Sequence, residues 1–497
     1  VDPALVARER TLRQLISDKA ELQLRQPSGN YTAEQATSMS KDLDTLTTEY
    51  DQVQTQIRQS SPRYTALTQP VSLNLQEIQS RLLDQDTVLL EYALGEAKSY
   101  VFLVSSTSLK TFELPSRDEV EKASRSVYDL VTASDRVVPN ETLEQRNKRL
   151  DQADSDYPAS AAELSRMLLA PLASELKNKR LLIVAEGILQ YVPFGALPDP
   201  DTEFRVSSSG FRVQNEKSQN PNSKPLIANH EVITLPSASV LGVLRRETKD
   251  RTRATKTIAV FADPVFGGQD PRIGSTSKNT LVDNPALEQA GDVKRSAEES
   301  GLHGFPRLRF SREEADQIMK LVPRNNNLEA LDFAANKSAA TSADLSQYRI
   351  VHFATHGLIN SRHTDLSGIV LSLVDQDGKP QNGFLRLYDI YNMNLSAELV
   401  VLSACQTALG KDIKGEGLVG LTRAFMYAGA PRIVASLWRT EDRATAVLMN
   451  RFYESMLAGN GMSPAAALRK AQLSMWQDKR WRQPRYWAAF TLQGEWK

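Results

Sequence analysis

The second half of the chain repeats one pattern: short, nearly unbroken apolar runs at 257–262, 349–354, 368–374, 399–403 and 432–437. Longer segments with helical spacing of apolar residues lie near 311–321, 416–428, 441–458 and 463–476. The last of these opens with Ser463-Pro464, an N-cap followed by proline at the first helical position. An apolar run without polar alternation is the signature of a strand buried on both faces, and strands separated by helices pair mainly in parallel. The expected fold is therefore α/β, a mostly parallel sheet flanked by helices.

The rest of the chain divides around that pattern, and 497 residues allow two or three cores. From Ala36 the apolar positions Met39, Leu43, Leu46, Tyr50, Val53 and Ile57 alternate by three and four. Leu5, Leu12, Leu15 and Leu22 supply a partner stripe across the breaker at 27–30. Residues 1–62 thus read as a helical hairpin, a packing unit rather than a docking surface. A first α/β half, 63–245, shows β-rich runs at 87–92, 100–104 and 181–185 with helices near 117–132 and 160–176. It has no cysteine, and its sole histidine is His230, so it reads as a scaffold without chemistry. Residues 246–497 form the second half. The polar stretches 199–224 and 267–300 read as long surface loops.

Charge excludes some functions. Lysine plus arginine equals aspartate plus glutamate, 60 against 60, so no overall field draws the chain to nucleic acid or an anionic membrane. No run of about 18 apolar residues or basic-then-apolar leader is visible, and a soluble, cytoplasmic chain is the expectation.

Chemistry concentrates at two strand ends. His356-Gly357 follows the 349–354 run, and Cys405, the only cysteine, follows the 399–403 run. One thiol forms no internal disulfide. An isolated cysteine is more often a small buried hydrophobe, and an isolated histidine a capping side chain. The pair changes that, because a free thiol has a pKa of about 8.5 and needs a base to become a nucleophile near neutral pH. The carboxyl ends of parallel strands open onto one crevice, where the amides of Gly357 and Cys405 are candidate oxyanion donors. His352 and His356 are four apart, as on a zinc-binding helix. Phe353 replaces the glutamate of that motif, and in a strand four residues span about 13 Å, too far to share a metal. The glycines of 410–420 lack the Gly-Lys-Ser/Thr of a phosphate loop. No metal or organic cofactor is required.

The motifs HFATHG (352–357) and LSACQTALG (402–410) resemble those of the CHAT family, caspase-like domains of the clan that includes separase and the gingipains. The likeness continues through GEGLVGLTRAFMYAGAPRIVASLW (415–438) and YWAAFTLQGEW (486–496), and more weakly back to about residue 86. The spacing of His356 and Cys405, 405 minus 356 or 49, is close to the roughly 50 residues of caspases. The resemblance implies a cysteine endopeptidase with His356 as general base and Cys405 as nucleophile, acting on a protein substrate. It makes the first α/β half a degenerate caspase-like partner of the second. It also implies latency relieved by an activating partner or an upstream helical-repeat domain, since such domains often follow tetratricopeptide repeats. The alternative is a catalytically silent interaction module of the same fold.

Relatives that cut after arginine or lysine use acids near the cysteine, which makes Asp263, Glu416 and Asp442 candidates for the substrate pocket, with Trp438 as a wall. Each has a plainer role open to it: turn residue for Asp263, helix N-terminal acid for Asp442, surface charge for Glu416, packing for Trp438. Lys294-Arg295 in the polar 267–300 stretch would suit autoprocessing after a basic residue.

Overall fold

The computed structural model describes residues 70–136, 138, 140–200, 224–267, 270–273, 305–359, 367–403, 406–407, 417–458 and 461–496, with scattered positions among the first 59. In that first stretch Leu12, Val53 and Ile57 are buried together, ringed by Leu5, Leu46 and Tyr50. Arg8 pairs with Glu49, and the Tyr50 hydroxyl donates to Glu9 at 3.0 Å. Two sequence-distant stripes therefore meet, although Leu15 stands exposed. The breaker at 27–30 and the polar stretches 201–223 and 274–304, with Lys294-Arg295, lie outside the described residues.

The first half supplies β1 (Thr87–Ala93), β2 (Ser99–Val104), β3 (Leu109–Leu114), α1 (Arg117–Val131), α2 (Leu143–Leu168), β4 (Arg180–Val184), β5 (Val232–Leu235) and α3 (Ala238–Thr248). The second half begins with β6 (Lys256–Ala262), α4 (Arg309–Lys320), β7 (Asn327–Leu331), β8 (Tyr348–Ala354), β9 (His356–Ile359), β10 (Gly368–Val370) and β11 (Phe384–Arg386). It ends with β12 (Leu399–Leu402), β13 (Gln406–Thr407), α5 (Gly417–Ala428), β14 (Arg432–Ser436), α6 (Asp442–Leu457), α7 (Pro464–Gln477) and β15 (Phe490–Gly494).

Eleven strands form one sheet in the order β3-β2-β1-β4-β5-β15-β14-β12-β8-β6-β7, so both halves share a continuous ladder. Its antiparallel seams are β1/β2, β2/β3 and β14/β15; the others are parallel. The mostly parallel sheet expected from the apolar runs is present, and its strands are buried on both faces: β12 is buried throughout, as is β6 from Ile258 to Ala262. β15 pairs in parallel with β5 but antiparallel with β14. All strands of the first half except β2 consequently run opposite to β14, β12, β8, β6 and β7. One hydrophobic cluster extends from Leu82 to Trp496 across the seam.

Three local features depart from the expected pattern. The apolar run at 368–374 does not join the main sheet; its first three residues form β10 in a second sheet of order β11-β10-β9-β13. α2 starts at Leu143, not near 160, on a capping box in which Thr142 Oγ1 accepts from Gln145 N–H and Gln145 Oε1 from Thr142 N–H. Its buried stripe, Ala153, Tyr157, Ala161, Leu164 and Leu168, leaves Pro158 on the exposed face, where the ring is accommodated. β15, at the centre of the sheet, was hidden in the sequence because its run is only five residues with threonine and glutamine inside it. Gly429 ends α5 at φ +126°, and a Cβ there would lie 2.2 Å from the Leu395 carbonyl, so only glycine fits this turn.

Candidate active site

β8, β12 and β14 end side by side, and a cavity of about 550 Å3 opens where they stop. Ala354, His356, Gly357 and Ser403 form its floor; Leu308, Ser311 and Glu314 of the α4 region form one wall. Arg439 to Asp442, between β14 and α6, form another, and Arg485-Tyr486 close the side next to β15. Thr445 of α6 adds to the second wall, and Ser134, Asp135, Arg136, Val138, Glu141, Arg146 and Leu150 form the remaining one. These seven come from the α1–α2 connection and the start of α2, so the half expected to carry no chemistry builds one wall.

His356 is 4% exposed. Its Nε2 lies 2.7 Å from the Pro306 carbonyl oxygen. A carbonyl only accepts, so Nε2 carries the proton and Nδ1 is left with the lone pair. Burial pushes the imidazole down to about 4; the Pro306 hydrogen bond opposes this and the charge of Arg439 adds to it. The ring is neutral at physiological pH, the form a general base requires. Phe266 and Phe305 flank it, with ring centroids 5.0 and 5.6 Å away.

Two acids facing the cavity are held in unusual states. Burial raises Asp135 to about 7, against the opposing influence of Arg439, Ser134 and Arg146. Burial likewise raises Asp442 to about 6, although its Oδ2 accepts the Phe310 N–H at 2.9 Å and so caps the start of α4. Glu441 is also raised by burial. Burial outweighs the arginines that line the same cavity, Arg136, Arg146, Arg439 and Arg485, in setting these carboxyls.

Beneath the floor, Ser403 Oγ donates to Glu314 Oε1 at 2.6 Å, and His352 Nδ1 lies 2.9 Å from the Tyr453 hydroxyl. His352 Nε2 sits 2.8 Å from Glu314 Oε1, an ion-pair distance at an angle that falls short of a hydrogen bond. His352 therefore belongs to a buried polar network tying β8 to α4 and α6. Among the described residues no cluster has the makings of a metal site, and no helix is long and apolar enough to cross a membrane.

The pocket candidates scatter. Asp442 lines the cavity. Asp263 does not: it is fully buried and engaged by Arg307, Arg312 and Arg272, a cluster assembled from residues up to 49 positions away and so invisible in sequence. Trp438 is fully buried, with its Nε1–H directed at the Arg485 carbonyl at 3.4 Å, and packs rather than lines. Cys405 and Glu416 lie outside the described residues. Asp135, Arg439 and Pro306 carried no sequence signal. Glu314 did, as an acid on the buried stripe of α4 beside Ser311, Ala315 and Ile318.

Residues 158–495 match the CHAT domain family. Tetratricopeptide repeat protein 28 of Mus musculus is 26% identical over 371 residues, 66% of this chain, and the Homo sapiens protein of that name matches to the same extent. The chain spans 13% of the length of these relatives. Among solved structures, the Saccharomyces cerevisiae separase–securin complex superposes with a TM-score of 0.48 at 11% identity, covering 88% of this chain and 31% of the other. The Arg-specific cysteine proteinase gingipain R superposes with a TM-score of 0.35 at 10% identity, covering 83% and 78%. The family match extends over well more than half of the sequence and includes both motifs around the cavity: this chain is a member of the CHAT domain family.

Proposed function

We propose that the chain is a cysteine endopeptidase that cuts a protein substrate, with Cys405 as nucleophile and His356 as general base. The observation that carries this reading is the register around the two residues. Leu402 lies opposite Phe353, Ser403 N–H donates to the Phe353 carbonyl at 2.9 Å, and Gln406 lies opposite Leu358. Strand segments on both sides of Cys405 therefore pair with strand segments on both sides of His356.

In the proposed cycle, Nδ1 of His356 takes the thiol proton and the thiolate attacks the scissile carbonyl carbon. The amides of Gly357 and Cys405 receive the oxyanion. Nδ1–H then protonates the leaving amine, and water, activated by the same nitrogen, hydrolyses the thioester and regenerates the thiol. The Pro306 carbonyl supports this cycle because it holds Nε2–H and stabilises the imidazolium while it exists. Asp442 and Asp135 favour a basic side chain before the scissile bond. An activating partner or a neighbouring helical-repeat segment is part of the reading, by analogy with the repeat proteins that the chain matches.

The test is labelling of the purified chain with peptide acyloxymethyl ketones that differ in their terminal residue, beside Cys405→Ala and His356→Ala. Labelling that requires Cys405 and falls about 100-fold or more without His356 is expected, strongest for arginine or lysine probes. Absence of labelling with the thiol reduced, and with candidate helical-repeat partners added, would favour the silent interaction module.

A further inference from the structure

We infer that Asp263 is a positioning residue for His356, acting through Arg307 and the Pro306 carbonyl, and not a substrate-pocket acid. The inference rests on the peptidase reading only for its consequence on rate.

Asp263 follows β6 at φ +49°, a left-handed conformation that aspartate adopts more readily than most residues. There its carboxylate receives the two-pronged fork of Arg307, Nε to Oδ1 at 2.8 Å and a terminal nitrogen to Oδ2 at 2.6 Å. Arg307 is the next residue after Pro306, whose carbonyl takes the His356 Nε2–H. Phe305, on the other side of Pro306, lies against the imidazole ring, and Phe266, three residues past Asp263, lies against it from the turn after β6. One carboxylate thus pins both segments that cradle the histidine. A carboxylate–guanidinium fork fixes orientation as well as distance, which a single contact would not. Asp263 N–H also donates to Ser311 Oγ at 3.1 Å, so the turn is tied to α4.

Arg312 and Arg272 bind the same carboxylate and, among the described residues, make no hydrogen bond to the Pro306 segment. They provide the contrast a test needs: loss of Arg312 weakens the cluster, whereas loss of the Arg307 fork releases the histidine. Release admits water to the imidazole, and since burial is the largest influence on its titration, the midpoint then moves up towards the ordinary histidine range.

The experiment is imidazole nitrogen NMR on the full chain labelled at histidine, recorded as a pH series for wild type, Asp263→Asn, Arg307→Lys and Arg312→Lys, with His356→Gln to assign the signal. Cys405 labelling rates with a basic peptide acyloxymethyl ketone are measured alongside. Asparagine tolerates the left-handed backbone, so Asp263→Asn removes charge without straining the turn. In Asp263→Asn the His356 midpoint is expected to rise by about one pH unit or more, its single Nε2–H tautomer to become mixed, and labelling to slow about tenfold. Arg307→Lys repeats this in weaker form and carries the test if Asp263→Asn does not fold. Arg312→Lys leaves the His356 signal where it was, whatever it does to thermal stability. Unchanged His356 signals in Asp263→Asn and Arg307→Lys, or an equal shift in Arg312→Lys, would overturn the inference. A wild-type chain that takes no label would count against the peptidase reading alone, because the NMR series still decides the role of Asp263.

Discussion

The two halves of the sheet present their strands to the cavity in opposite senses. In the second half, β8, β12 and β14 run towards it, so the residues that follow each strand, His356 after β8, Ser403 after β12 and Arg439 beyond β14, arrive at the floor directly. In the first half, β1, β4 and β5 run the other way, because the direction reverses between β15 and β14. Their carboxyl ends point away from the cavity. What the first half delivers instead is the far end of α1, which runs back along the sheet after β3, and the turn into α2 that carries Asp135 and Glu141. The comparison teaches that a half whose strand ends are turned away can still supply specificity, through helix connections. A rule that looks for ligand sites at strand carboxyl ends sees only one half.

If the second half holds the reacting groups and Asp135 of the first half joins Asp442 in selecting the substrate, Asp135→Asn and Asp442→Asn should separate rate from selectivity. The preference for arginine or lysine over glutamine before the scissile bond is expected to fall about 10- to 100-fold in each, with neutral substrates cut at an unchanged rate. The pH dependence has a definite sign. Both carboxyls are raised, to about 7 and about 6, so both lose charge as pH falls through those values. The wild-type preference for basic substrates should therefore grow between pH 5 and pH 8, and flatten in Asp135→Asn. Asp135 is also a charge the fold holds at a cost, and Asp135→Asn should stabilise the chain at pH 8 by about 1–2 kcal/mol in urea denaturation. Equal losses on basic and neutral substrates would move Asp135 from selection to the reaction itself.

The second half contains an acid-sensitive histidine. His356 titrates near 4 when folded and near 6.5 when unfolded, so between those values the unfolded state binds the extra proton and stability falls as pH drops. About 3 kcal/mol should be lost from this residue alone between pH 7 and pH 4. Denaturation curves of His356→Gln should be flatter over that window by a similar amount. A variant as acid-sensitive as wild type would mean that the depressed titration of His356 is not what the fold loses.

The sequence displayed most of the second half because β6, β8, β12 and β14 are largely buried and read as apolar runs, two of them followed by motif residues, whereas β7, only partly buried, gave no such run. Helix α4 and helices α5 to α7 were legible from spacing, and Ser463 caps α7 as its position suggests, accepting the Ala466 N–H at 3.3 Å. Asp263 shows where such reading stops. Its acidity and its place after a strand were visible, but three arginines that neutralise it come from β6-distal segments that only the fold brings together. Asp135 was less visible still, since a Ser-Asp-Arg in a helix connection has no periodicity to mark it, and only the reversal of strand direction puts it at the cavity. β15 is similar: a five-residue run near the chain end joins the two halves, and nothing local announces a central strand.

The seam between the halves gives the smallest effect and the sharpest asymmetry. Arg485, beside β15, forms an ion pair at 2.9 Å with Asp154 of α2, and both are mostly buried. Burial raises Asp154 despite the neighbouring guanidinium, so the pair draws little net stability from its charges. Removing the acid and removing the base should then differ. Asp154→Asn keeps a hydrogen-bonding side chain and leaves Arg485 stacked on Tyr486, 4.8 Å from its ring, so a change of about 0.5 kcal/mol or less is expected. Arg485→Ala abandons a buried carboxylate and strips the stacking, and should cost about 2 kcal/mol or more. Because Arg485 also lines the cavity, Arg485→Ala should raise KM for peptide substrates more than it lowers kcat. A double-mutant cycle in urea decides it: if Asp154→Asn is as damaging as Arg485→Ala, the seam is held by the charge pair after all, and the two halves are coupled more tightly than their shared strand ladder requires.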